Sequence, residues 1–158
     1  MEQHNQSRNL IIAGILIGMG AAGFFDGIVI HQILQWHHML TSIRPTTPLS
    51  NFEVNTLWDG LFHALDYALT VAGLVFLWRA ASNRNIPLSL KTFVGSLLMG
   101  AGSFNLIEGI VDHHILGIHH VKAGPNQLAW DIGFLTLGAV LVAAGWIVLQ
   151  TQQRDATT

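Results

Sequence analysis

The chain has 158 residues, 51% hydrophobic and only 10% charged, with a formal net charge of -2. A soluble domain carries roughly 25% charged residues, so lipid is the expected solvent, and nothing in the charge balance invites nucleic acid. There is no Cys, which excludes disulfides and thiolate metal sites and leaves His nitrogen and carboxylate oxygen as metal donors.

Four stretches reach the ~20 apolar residues that a spanning helix needs. The first, Leu10 to Leu34, is longer than a signal-peptide core and is expected to stay in the protein. It holds Gly14 and Gly18, a small-x-x-x-small pair that allows close helix approach. Asp26 follows about 24 Å from Leu10 at ~1.5 Å per residue, then His31, His37 and His38. The second stretch, Leu57 to Trp78, carries Asp59, His63 and Asp66 at i, i+4 and i+7, one stripe of a helix. The third, Phe93 to Ile118, carries the pair Ser96 and Gly100, then Glu108, Asp112 and His113, with His119 and His120 just beyond. The fourth, Leu128 to Leu149, places Asp131 about one turn from its start.

The halves repeat. Asp26-Gly-Ile-Val-x-His31-x-Ile-Leu-x-x-His37-His38 aligns without a gap with Glu108-Gly-Ile-Val-x-His113-x-Ile-Leu-x-x-His119-His120. Trp58-Asp59 aligns with Trp130-Asp131, and Ala72-Gly73 with Ala144-Gly145, again at one constant offset. The chain therefore predicts an all-α integral membrane four-helix bundle made of two tandem, parallel-related helical hairpins. Repeat one covers about 10–80 and repeat two about 92–150 of a single membrane domain, 1–158. Arg8, Arg79, Arg84, Lys91 and Arg154 lie on the side of the termini, against Arg44 and Lys122 on the other. The basic-residue bias places both termini in the cytoplasm, with the loops near Pro45–Pro48 and Gly124–Pro125 outside.

Six of the nine acids lie in the spans, with no Lys or Arg inside a span to pair with. A charge at mid-bilayer costs at least ~2.5–3.5 kcal/mol, so a bound cation is the preferred explanation for so many at one level. Imidazole and carboxylate suit Cu, Fe or Zn, and facing helices of a bundle are an established frame for one or two such ions. The ligands expected first are His31, His38, His63, His113 and His120, with Asp26 and Glu108 bridging or accepting from His N–H. His37, His119, Asp59, Asp66, Asp112 and Asp131 rank behind them. On a continuing helix, His31 and His38 share one stripe, and Asp26 and His37 another. A metal-free, proton-sharing polar core and a bis-His haem are the competing readings.

At Phe25-Asp26-Gly27-x-x-x-His31-Gln32-x-x-x-x-His37-His38, with Asn105-Leu106-x-Glu108-Gly109-x-x-Asp112-His113-His114 in the second half, the chain resembles a bacterial family of small multi-pass membrane proteins known as a domain of unknown function, type 2243. The resemblance covers roughly residues 10 to 150 and implies a bacterial cytoplasmic (inner) membrane protein. It brings no catalytic residues with it, so the catalytic assignment stays unknown. Two functions follow. One is a membrane metalloenzyme, a mono- or di-metal non-haem oxidoreductase acting on a lipid-soluble substrate or oxygen. The other is a Cu- or Zn-handling or oxidase-assembly protein without turnover. The bilayer is the expected partner, and a homo-oligomer is left open.

Overall fold

A computed structural model describes residues 2–82 and 87–155; Arg84 lies outside them, as does the side chain of Arg154. Four helices carry the fold: α1 (Glu2–Phe25), α2 (Leu49–Ala81), α3 (Leu90–Glu108) and α4 (Gln127–Asp155). π-helical segments continue α1 over Asp26–Ile33 and α3 over Gly109–Ile115. All four helices are long and apolar enough to cross a membrane, and no strand occurs among the described residues. α2 begins at Leu49, earlier than the apolar window from Leu57 suggests. Its polar first turns are held by Asn55, whose amide donates to the carbonyls of Arg44 (2.7 Å) and Asn51 (3.0 Å) and accepts from Leu40 N–H (2.9 Å).

α1 packs on α2 and α3, and α3 on α4, whereas the backbones of α2 and α4 stay more than 8 Å apart. The central pair buries 39% and 44% of its most apolar windows and the outer pair only 17% and 11%, so α1 and α3 form the interior and α2 and α4 its flanks. Lipid is as apolar as Leu, so helices associate here by close packing of small residues rather than by burying oil. A Cβ at Gly18 would collide with the Leu97 carbonyl, and one at Gly100 with that of Ile15. These two glycines set the parallel approach of α1 and α3. The flanks use the same device in antiparallel sense: Gly73 faces Ile17 and the Ala13 carbonyl, and Gly145 faces Met99 and the Gly95 carbonyl. Each of these contacts in the first half recurs at the aligned positions of the second.

The sequence suggests α-helix to Leu34 and to Ile118; instead both helices widen and then stop. Leu34 N–H donates to Val29 O, and Leu116 N–H to Val111 O, both at 2.8 Å and both five residues back. The chain then turns through positive φ at Gln35 (50°) and at its aligned partner Gly117 (58°). Past these turns His37, His38, His119 and His120 lie on loops, so the helical stripes proposed for them do not exist. The loops cross over the end of the bundle and hold one another, with Ser42 N–H donating to Ile118 O at 3.0 Å.

Candidate metal centre

Behind the centre stand two aspartates. Asp59, fully buried on α2, accepts from His31 Nδ1 (3.1 Å), His38 Nδ1 (2.6 Å) and Met39 N–H (2.9 Å). Asp131 on α4 repeats this, accepting from His120 Nδ1 (2.7 Å) and Val121 N–H (3.0 Å), with His113 Nδ1 at 3.4 Å in looser alignment. The middle pair is anchored crosswise: His37 Nδ1 donates to Val121 O (2.9 Å), and His119 Nδ1 donates to Met39 O (3.1 Å). A carbonyl only accepts, so these bonds put the proton on Nδ1 and leave the Nε2 lone pair free.

The free nitrogens converge. His37 and His119 stack with centroids 4.6 Å apart and planes 10° from parallel, and His31 and His113 lie edge-on to them at 4.4 and 4.9 Å. His31 Nε2 is 3.0 Å and His37 Nε2 3.7 Å from Asp26 Oδ2, and His119 Nε2 is 3.5 Å from Glu108 Oε1. None of these contacts has hydrogen-bond alignment. The Nε2 atoms of His31, His37, His113 and His119, Asp26 Oδ2 and both Glu108 oxygens are buried without a hydrogen-bond partner. Buried polar atoms are ordinarily paired, and these seven orphans lie in one connected cluster that can serve as a donor shell.

Two overlapping groups emerge, His31–His37–His119 and Glu108–His113–His119, the ligand atoms of each lying within 4.8 Å of one another. Zinc-class ions hold imidazole nitrogen at ~2.0–2.1 Å, so three donors around one ion stand ~3.4–3.6 Å apart, and each group closes on an ion with side-chain shifts of up to about 0.7 Å. His119 lies on the loop beyond α3; burial first, then the neighbouring His37, His113 and His31, hold its pKa well below the ordinary 6.5. It is thus neutral, the form that ligates a metal.

Of the residues ranked first on sequence, His31, His113, Asp26 and Glu108 meet at this point. His38 and His120 stand one layer out, turned to Asp59 and Asp131. His63 lies over Gly27, half-buried, its Nδ1 3.8 Å from the fully buried Asp66 Oδ2 with no hydrogen bond between them, so both stand beside the centre rather than in it. Of those ranked behind, His37 and His119 supply inward Nε2 atoms, Asp59 and Asp131 hold the imidazoles, and Asp112 stays outside the cluster, half-buried. The π-helical ends place Asp26 with His31, and Glu108 with His113, on the centre together; a widened turn is a recurrent feature of functional sites.

A family model described as a predicted membrane protein, without an assigned activity, matches residues 13–152. Neither the curated proteins nor the solved structures hold a match to the chain.

Proposed function

The chain belongs to the DUF2243 family of membrane proteins, and on that premise we propose that the cluster is a His/carboxylate metal centre of one or two ions serving a membrane oxidoreductase. The observation that carries this is the set of four inward Nε2 atoms and three carboxylate oxygens, all buried and all without hydrogen-bond partners. His31, His37, His113, His119, Asp26 and Glu108 are the ligand set. Asp59, Asp131 and the Val121 and Met39 carbonyls orient the imidazoles through Nδ1, the carboxylate–histidine–metal arrangement of many metal sites. With nitrogen and oxygen donors and no thiolate, Fe, Zn and Cu(II) fit the shell. The metal would supply Lewis-acid or redox chemistry; the chain's own part is to hold the donors, keep them deprotonated and exclude water.

Turnover is favoured over metal handling by the burial of His31, His37, His113 and His119, all at most 3% exposed, where a carrier needs accessible ligands. The stacked rings leave no planar slot for a porphyrin. We read the two halves as copies of one helical hairpin, which the recurrence of glycine contacts, Asp–His bonds and positive-φ turns supports. We place the protein in a bacterial inner membrane with its termini in the cytoplasm, on the basic-residue bias.

The test is elemental analysis of protein purified in detergent anaerobically and without chelator. One or two equivalents of Fe, Zn or Cu per chain are expected. His37→Ala and His119→Ala should lose them, and His38→Ala should retain metal with weaker affinity. Wild-type protein that binds no metal on reconstitution ends the proposal.

A further inference from the structure

The two halves differ where they flank the centre. The backbones of α1 and α4 stay more than 8 Å apart, as do those of α2 and α3, but between α1 and α4, floored by α3, lies a cavity of about 330 Å³. Its lining is apolar except at the end by the centre, where Asp26 and Asn105 reach it. The aligned positions of the other half are built to be full. Phe104 stands where this side has Ala22, and its ring packs 5.9 Å from Phe62, the counterpart of Phe134. Met19 stands where this side has Ala101, and Gly23 where this side has Asn105. One half thus carries small side chains on its wall and an amide at the inner end.

We propose that this slot binds a small lipid-soluble hydroxyaromatic molecule, its ring between Phe25 and Phe134 and its hydroxyl hydrogen-bonded to the Asp26 carboxylate with Asn105 as second polar partner. The inference rests on the metal-centre reading and names the substrate class for it. Three observations select the occupant. A cavity near the lower end of the ~300–1,000 Å³ ligand range takes a one- or two-ring molecule and not a whole diacyl lipid. An acyl chain or neighbouring helix would leave the Asn105 amide, 7% exposed, facing only hydrocarbon, which is costly. Entry needs no water-filled path, because the lining residues Phe25 and Leu137 are exposed on the lipid-facing side between α1 and α4.

The experiment titrates 1-naphthol and naphthalene into protein in nanodiscs, metal-free and zinc-loaded, with metal content measured on every sample. Expected is saturable binding of one 1-naphthol per chain, at least about tenfold tighter than naphthalene, as one hydrogen bond to a charged group allows. Ala22→Phe, which copies the closed half, should abolish the saturable component while zinc content stays at the wild-type level. Should Ala22→Phe misfold, Leu141→Trp fills the same slot from α4. Asn105→Leu should weaken 1-naphthol about tenfold and leave naphthalene unchanged. Non-saturating uptake, equal affinity for the two probes, or full binding in the filled variants overturns the slot. Absent zinc with intact naphthol binding would instead remove the metal centre, so the two failures are distinguishable.

Discussion

At the scale of the residue, the centre depends on side chains that never face it. Asp59 fixes two imidazoles and a backbone N–H, so Asp59→Asn trades an acceptor-only group for one that is half donor. Loss of such a supporting group costs roughly 10–100-fold in metal affinity, and that is the expected shift in a competitive chelator titration, with the fold intact. Asp131→Asn should behave alike through His120. His119 makes a second prediction. Its folded pKa is below 6.5, so as pH falls the unfolded chain takes up this proton before the folded one. Its contribution to stability is therefore unchanged above that pH and declines in acid. In metal-free protein, His119→Asn should make the melting temperature less acid-sensitive between pH about 7 and about 5 than it is in the parent; equal slopes in the two proteins would contradict the assignment.

At the scale of the element, the spans, the glycine pairs and the common depth of acids and histidines were legible because each follows from composition and a 3.6-residue period. The helix ends were not. Asp26-Gly27 and Glu108-Gly109 open π-helical turns, and no local signal distinguishes five-residue from four-residue hydrogen bonding in Gly-Ile-Val. A helical period therefore runs about one and a half turns too far, and within each His–His pair it favours His38 and His120, whereas His37 and His119 turn inward. One local clue existed: Gly117, a helix stop in the second half, marks the stop at the aligned Gln35. Gln35 is exposed and adopts φ 50°, a region that costs a non-glycine residue roughly 1–2 kcal/mol. Gln35→Gly should therefore stabilise by about 0.5–1 kcal/mol after its larger chain entropy is offset, and Gly117→Gln should destabilise by about 1 kcal/mol. Denaturation of both in the same detergent tests the pair; a destabilised Gln35→Gly would mean that the turn is not what ends the helix.

At the scale of the whole molecule, the centre exists only because α1 and α3 lie close enough for His37 to stack on His119 across the pair. That distance is set further along by Gly18 and Gly100, whose missing Cβ atoms are replaced by the backbone carbonyls of Leu97 and Ile15. A carbonyl inside a helix cannot rotate away as a side chain does, so even one added methyl must push the helices apart. Gly100→Ala should cost about 2–3 kcal/mol by overpacking and, because the shift separates two halves of one ligand shell, should also lower metal occupancy although no ligand is altered. Gly60 and Gly133, in the outer helices, meet nothing within 4 Å. Ala at either should be neutral or stabilise by up to about 1 kcal/mol through a less flexible unfolded chain, with metal unchanged. The contrast separates packing from composition: helix propensity alone favours Ala at all of these sites, so a loss of both stability and metal confined to the α1–α3 seam can arise only from the spacing of the central pair.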